Sequence, residues 1–205
     1  MFTGIVSDVG TVAQTERRGD VRFTIETAYD LESIAIGASI SCSGVCLTVV
    51  EKGANDFAVD VSAETLSRST LGNWKDGSRI NLERSLAMGD ELGGHLVSGH
   101  VDALGKVVSL EAEGDSVRFT FHAPAEIAPF VAEKGSIAID GCSLTVNAVE
   151  DDADGCSFGI NIIPHTQEVT TFGTLQAGDA VNLEIDMLAR YMQRMLESRH
   201  GRATG

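Results

Sequence analysis

Two short polar stretches hold the residue types needed for group-transfer chemistry. Cys46-Leu47-Thr48 and Ser143-Leu144-Thr145 each set a thiol or hydroxyl nucleophile two residues before a threonine hydroxyl. His95 and His100, in GGHLVSGHVD, add imidazoles able to move protons near neutral pH. Five apart on a strand, the two histidines would face opposite ways, which argues against shared metal ligation. On that reading His95 is structural and His100 is the chemical candidate. The cysteines, Cys42, Cys46, Cys142 and Cys156, form no C-x-x-C pair, and no histidine follows at zinc-ligand spacing, so reduced thiols and no metal site are expected. Taken singly, Thr48 and Thr145 read as strand residues, Leu47 and Leu144 as core, and Cys46 as a small buried hydrophobe.

Their recurrence changes that reading. TGIVSDVGTV at 3–12 answers SGHVDALGKV at 98–107, and VRFT at 21–24 returns at 117–120. SGVCLTV at 43–49 answers DGCSLTV at 140–146. AETLSRSTLG at 63–72 answers PHTQEVTTFG at 164–173, and GSRINLE at 77–83 answers GDAVNLE at 178–184. The offset never decreases along the chain, as a tandem duplication with a few insertions requires. Two homologous domains, 1–92 and 93–187, are expected, with SLAMGDELGGH (85–95) as linker and 188–205 as a C-terminal helix and tail.

Each repeat needs short strands to place these motifs. Val21–Thr27, Phe57–Val61 and Val117–Phe121 alternate apolar and polar residues with period 2. Gly37, Gly44, Gly53, Gly72 and Gly77 punctuate the first repeat at turn-like intervals. About six strands in each repeat imply an all-β fold of two small antiparallel, Greek-key-like barrels, since closure removes exposed edges. Brief helical turns are expected at Asp30–Ile36 and Pro124–Lys134. LARYMQRMLESRHG (188–201) aligns Leu188, Tyr191, Met192, Met195 and Leu196 on one helical face and stops at Gly201. That stripe suits either its own barrel or copies of itself.

Charge narrows the partners. The chain of 205 residues has a formal net charge of −15, and its densest basic patch is Arg17-Arg18. Nucleic acid and anionic membrane surfaces are therefore excluded as partners, whereas a neutral, polar aromatic ligand meets no electrostatic penalty. MFTGIVSDVG lacks a basic start and an apolar core, and no apolar run nears the roughly 20 residues of a membrane span. A cytoplasmic protein is expected.

MFTGIV, SGVCLTV, GGHLVSGHVD, IDGCSLTV and NIIPHT together resemble the riboflavin synthase family, over essentially residues 1–190. The resemblance implies two six-stranded barrels, a C-terminal helix that joins three chains, and no cofactor. It implies dismutation of two molecules of 6,7-dimethyl-8-ribityllumazine, one giving a four-carbon unit to the other, to yield riboflavin and 5-amino-6-ribitylamino-uracil. Some relatives also dock with a lumazine synthase assembly. Each site would lie between the N-terminal barrel of one chain and the C-terminal barrel of its neighbour.

For the first pocket the resemblance points to Cys46, Leu47 and Thr48, then Asp60, Val61, Ser62, Ala63, Glu64 and Thr65, with Gly99, His100 and Val101 arriving from the other repeat. For the second it points to Ser143, Leu144 and Thr145, then Ile162, Ile163, Pro164, His165, Thr166 and Gln167, with Gly4, Ile5 and Val6. Lys134 matches a ligand-contacting lysine of the family. Phe2 and Thr3 would close the site. His100, aided by the Thr48 and Thr145 hydroxyls, would assist loss of a proton from the 7-methyl group of one lumazine. Water, Ser143 or Cys46 would add to ring carbon 7 of the other. Ser43, Ala63 and His165 stand where the family commonly has Asn, Lys and Glu. Two readings compete: a lumazine-binding fluorescent relative without turnover, and the flavin barrel of a reductase, for which no Gly-rich nucleotide-binding loop is present.

Overall fold

The computed structural model describes residues 1–200, apart from the side chains of Arg18, Arg199 and His200. In the first half, β1 (Asp8–Arg18), β2 (Asp20–Glu26), β3 (Ser39–Cys42), β4 (Val45–Lys52), β5 (Asp56–Val61) and β6 (Arg79–Arg84) close a barrel in the order β1-β2-β5-β4-β3-β6. The alternation seen in the sequence fills it: Val21, Phe23 and Ile25 of β2 and Phe57, Val59 and Val61 of β5 point into the first core.

The second half repeats the circuit with β7 (Ala103–Glu113), β8 (Ser116–Pro124), β9 (Ser136–Ile139), β10 (Cys142–Thr145), β11 (Ala148–Asp151), β12 (Gly155–Ile162) and β13 (Ala180–Ile185). Its order is β10-β9-β13-β7-β8-β12-β11, seven strands rather than six. β10 and β11 are the halves of one strand, and they take the place of β4. Where β4 carries a bulge between Val49 and Glu51, this strand breaks at Val146 and Asn147. The break is bridged, because Val146 donates to Gly135 on one side and Asn147 to Gly159 on the other.

Helices are few. The two expected turns shrink to single 3₁₀ turns, Leu31–Ser33 and Ala128–Phe130. Pro129 lacks an amide donor, and Lys134 turns left-handed at φ 65°, so nothing longer extends there. Unanticipated are α1 (Ala63–Arg68) and α2 (Pro164–Val169), one at the same place in each repeat. α3 (Met187–His200) bears out the C-terminal helix, while its stop at Gly201 lies outside the described residues. Leu188, Tyr191, Met192, Met195 and Leu196 are all more than half exposed, so α3 does not lay its apolar face on its own barrel.

The barrels meet about an approximate two-fold axis. A Cβ on Gly44 would lie 2.8 Å from the Gly141 amide nitrogen, and one on Gly141 would lie 2.8 Å from that of Gly44, so only glycine permits this approach. Asn81 donates to the Asp140 carbonyl at 3.0 Å and accepts from the Thr171 amide at 2.8 Å. Asn182 mirrors it, donating to the Ser43 carbonyl and accepting from the Thr70 amide, both at 2.8 Å.

Candidate functional site

The start of each repeat leaves its own barrel. Residues 1–6 run to the second barrel and 97–101 run to the first, and the two arms pair where they cross. Phe2 donates to Val97 at 2.8 Å, and Val97 returns the bond at 3.1 Å. Val6 accordingly packs on the second core and Val101 on the first. Each arm ends against the nucleophile motif of the opposite barrel. The Ser143 amide donates to the Gly4 carbonyl and the Cys46 amide to the Gly99 carbonyl, both at 2.8 Å. Gly4 and Gly99 hold φ of 77° and 80°, and a Cβ on Gly99 would fall 2.6 Å from the Cys46 Cβ. Both glycines are thus required twice over, by backbone conformation and by space.

Two buried glutamates hold the arms. Glu83 accepts from the Thr3 amide (2.7 Å), the Thr3 hydroxyl (2.7 Å) and the Gly4 amide (2.9 Å). Glu184, its counterpart, accepts from the Ser98 amide (2.6 Å), the Ser98 hydroxyl (2.7 Å), the Gly99 amide (2.9 Å) and the His100 amide (3.0 Å). Burial pushes the Glu83 carboxyl up, and the arm's N–H groups pull it back. Neither glutamate is among the residues expected from the sequence. The signal was the repeated NLE at 81–83 and 182–184, an acid recurring within otherwise apolar strands.

The first pocket is a cavity of about 210 Å³ lined by Val45, Cys46, Glu64, Thr65, Arg68, Ser69, Gly99, His100 and Val101. α1 supplies one wall. Its N-cap Ser62 accepts from the Thr65 amide, and Glu64 pairs with Arg68 at 3.2 Å. Cys46 is half-buried, Thr48 and Ala63 are exposed, and Leu47 belongs to the core. The structure does not bring Asp60 or Val61 into this cavity. Arg22 holds the Asp60 carboxylate at 2.8 Å on the outer face of the barrel, and Val61 is buried in the core.

At the equivalent place in the second repeat Gly4 meets Ser143, Val6 packs on the core and Ile5 is exposed. Leu144 packs partly on the core, Thr145 is exposed, and Ile162 is buried. Ile163, Pro164 and His165 stand exposed at the start of α2, where Gln167 caps the Ile162 carbonyl at 3.0 Å and Thr166 is half-buried. Lys134 is exposed and donates its amide to the Val146 carbonyl at 2.8 Å. Its counterpart Gly37 makes the same bond to Val49. A left-handed lysine where the other repeat has glycine stores backbone strain.

Phe2 is fully buried with Val97 and Ala138 between the barrels, against Cys46, and Thr3 is locked on Glu83. His95 and His100, in turn, do not lie on one strand, because Gly99 turns left-handed between them. His100 lines the first cavity. His95, from the linker, meets Ser143 of the second barrel, with Nδ1 and Oγ 2.6 Å apart. Burial lowers the His95 pKa, only partly offset by Asp186 and Glu184, so the ring is a neutral base at pH 7. Its Nε2 is buried and has no hydrogen-bond partner among the described residues. Among the other thiols, Cys42, Cys142 and Cys156 are buried, and burial pushes Cys142 up to about 12, which keeps it inert. Among the described residues no helix is long and apolar enough to cross a membrane.

The lumazine binding domain family matches the chain twice, over residues 3–85 and 98–186. The chain is 53% identical over 203 residues to the riboflavin synthase of Brucella abortus, covering 96% of this chain and 98% of that one. Among solved structures it is similar to LumP complexed with riboflavin, at 26% identity and a TM-score of 0.82, covering 90% of this chain and 99% of LumP. It is equally similar in sequence to LumP complexed with 6,7-dimethyl-8-(1'-D-ribityl) lumazine, at 26% identity and a TM-score of 0.79, with 90% and 98% covered.

Proposed function

The chain belongs to the riboflavin synthase family of lumazine-binding proteins, and from that premise we propose that it converts two molecules of 6,7-dimethyl-8-ribityllumazine into riboflavin and 5-amino-6-ribitylamino-uracil. One observation carries this reading. Two pockets share one backbone plan, each finished by the other repeat's arm, yet their reactive groups differ: Cys46 with His100 in the first, and Ser143 with His95 in the second. A dismutation needs like binding of two identical molecules and unlike treatment of them.

The contacts described above support a role for each residue. In the first pocket one lumazine, the one that accepts the four-carbon unit, loses a 7-methyl proton to His100, whose backbone Glu184 fixes. In the second, Ser143 adds to ring carbon 7 of the other lumazine, the one that gives the unit, with His95 accepting the serine proton at hydrogen-bond distance. Ser143 is preferred over Cys46 as that nucleophile because an imidazole is already placed on its hydroxyl. The methyl carbanion then bonds to the second ring, Ser143 leaves carbon 7 and regains its proton from His95, and fragmentation releases the two products. Holding both rings replaces a bimolecular encounter with a local one, which contributes several kcal/mol. Thr48 and Thr145, exposed at matching strand positions, offer hydroxyls to the rings.

The working unit is a homotrimer in which a first pocket faces the second pocket of a neighbour. The exposed apolar face of α3 supports it, since such a stripe is stable only when covered. The setting is cytoplasmic, which suits four free thiols. The test is incubation of the purified protein with 6,7-dimethyl-8-ribityllumazine, without added cofactor, while riboflavin absorbance is followed. One mole of riboflavin per two moles consumed is expected. Binding without product would make the chain a lumazine carrier instead.

A further inference from the structure

The arm that carries His100 is held from two sides, and one of them is α3. Asp102 closes the arm. Its amide donates to the Leu183 carbonyl at 2.8 Å, and its carboxylate accepts from the Ile185 amide at 2.9 Å. The same carboxylate meets Arg190 of α3, with Oδ1 2.8 Å and Oδ2 2.9 Å from Nη2. The Asp102 side chain is 12% exposed, so this pair is shielded on the carboxylate side. Glu184 holds Ser98, Gly99 and His100 of the arm, and β13 runs through Asp186 directly into α3.

The first repeat has no such link. Ser7 stands at the equivalent place and makes the equivalent backbone bond, its amide donating to the Leu82 carbonyl at 2.9 Å. Its side chain turns instead to Tyr29, with the hydroxyls 2.5 Å apart, inside the same barrel. One arm is therefore tied to the barrel body alone, and the other also to a helix whose apolar face is open. Gly99, with no room for even a Cβ beside Cys46, leaves the arm no slack, so a change in the seating of α3 reaches His100 and Cys46.

We propose that Asp102 and Arg190 are positioning residues through which the seating of α3 sets the geometry of His100 and Cys46 in the first pocket. This rests on the reading of that pocket as half of a riboflavin-forming site. The test uses the full chain with R190M, R190K and D102N, each with steady-state kinetics on 6,7-dimethyl-8-ribityllumazine, sedimentation, and the iodoacetamide labelling rate of Cys46. Cys46 reports on the first pocket because the other three thiols are buried.

R190M and D102N should each lower kcat about tenfold with KM within about threefold. The double variant should be no worse than either, as expected for two ends of one contact. R190K should recover most of the activity, and the Cys46 rate should change severalfold in R190M with assembly unaltered. The proposal is overturned if kcat and the Cys46 rate both stay within twofold of the parent. It is also overturned if the lost activity returns on concentrating the protein, because Arg190 would then serve assembly alone. Should the parent form no riboflavin while R190M still alters Cys46 labelling, the functional reading fails and the coupling stands.

Discussion

The two repeats agree in backbone and disagree in what they do with it. Both arms cross, both end on a left-handed glycine, and both are gripped by a glutamate from the last strand of a barrel. At matched places the side chains diverge: His100 against Ile5, Cys46 against Ser143, Asp102 against Ser7, Lys134 against Gly37. The shared part lies in backbone bonds and buried carboxylates, which duplication fixed and packing keeps. The divergent part lies at the pocket rims, where one repeat can change without disturbing the other.

The comparison breaks most sharply at His100. His100→Gln should lower kcat by about 10²–10³-fold with KM nearly unchanged, while Ile5→Gln at the matched place should mainly raise KM. Steady-state kinetics on the two variants separate a chemical residue from a rim contact. Equal losses in kcat would return both arms to a purely structural role.

Next in size are the junction asparagines. Asn81→Ala and Asn182→Ala each strand buried partners across the two-fold and should each cost about 2–4 kcal/mol of unfolding free energy in urea titration. Asn182 should cost somewhat more, since its amide also donates to the Thr70 hydroxyl at 2.8 Å.

Asp140 and Ser43 face each other across the same junction, and only one titrates. Burial pushes Asp140 up to about 7. The folded protein thus keeps a proton that the unfolded chain loses from about pH 4 upward. The contribution of Asp140 to stability is fullest below about pH 4, declines as pH rises to about 7, and is flat above. Asp140→Asn tolerates the φ of 45° and should remove this slope. In thermal or urea unfolding the variant should match the parent near pH 4 and exceed it at pH 8 by on the order of 4 kcal/mol. Ser43→Ala should leave the pH profile unchanged.

The smallest effect is expected at Lys134. Lys134→Gly should relieve about 1 kcal/mol of backbone strain while weakening lumazine binding severalfold in a fluorescence titration. A variant that gains stability and keeps full affinity would show that the lysine serves neither purpose.

The duplicated architecture was legible because long-range repetition survives substitution. The offsets of VRFT, LTV and NLE predicted the matched strands before any element was assigned. α1 and α2 were not legible, since six residues are too short to show a helical period and their caps lie within the stretches that the sequence assigned to ligand contact. The pocket-lining motifs could be named, but Asp60 and Val61 could not be sorted from their neighbours. On β5 alternate residues face opposite ways, and only the Arg22 partner shows which side Asp60 takes. The His95–Ser143 contact joins residues 48 apart. Its cause is the left-handed turn at Gly99 and the path of the linker, neither of which has a local sequence pattern.

The crossed arms also decide how the molecule comes apart. A protease cutting between Ala87 and Leu92 severs the covalent joint between the barrels. The Phe2–Val97 pairing and the arm ends, Ser143 amide on the Gly4 carbonyl and Cys46 amide on the Gly99 carbonyl, clasp one fragment to the other. A nicked chain should therefore migrate as a single particle until denaturant is added. For the same reason heat should melt both barrels in one calorimetric peak, because neither can open without giving up the arm it borrows.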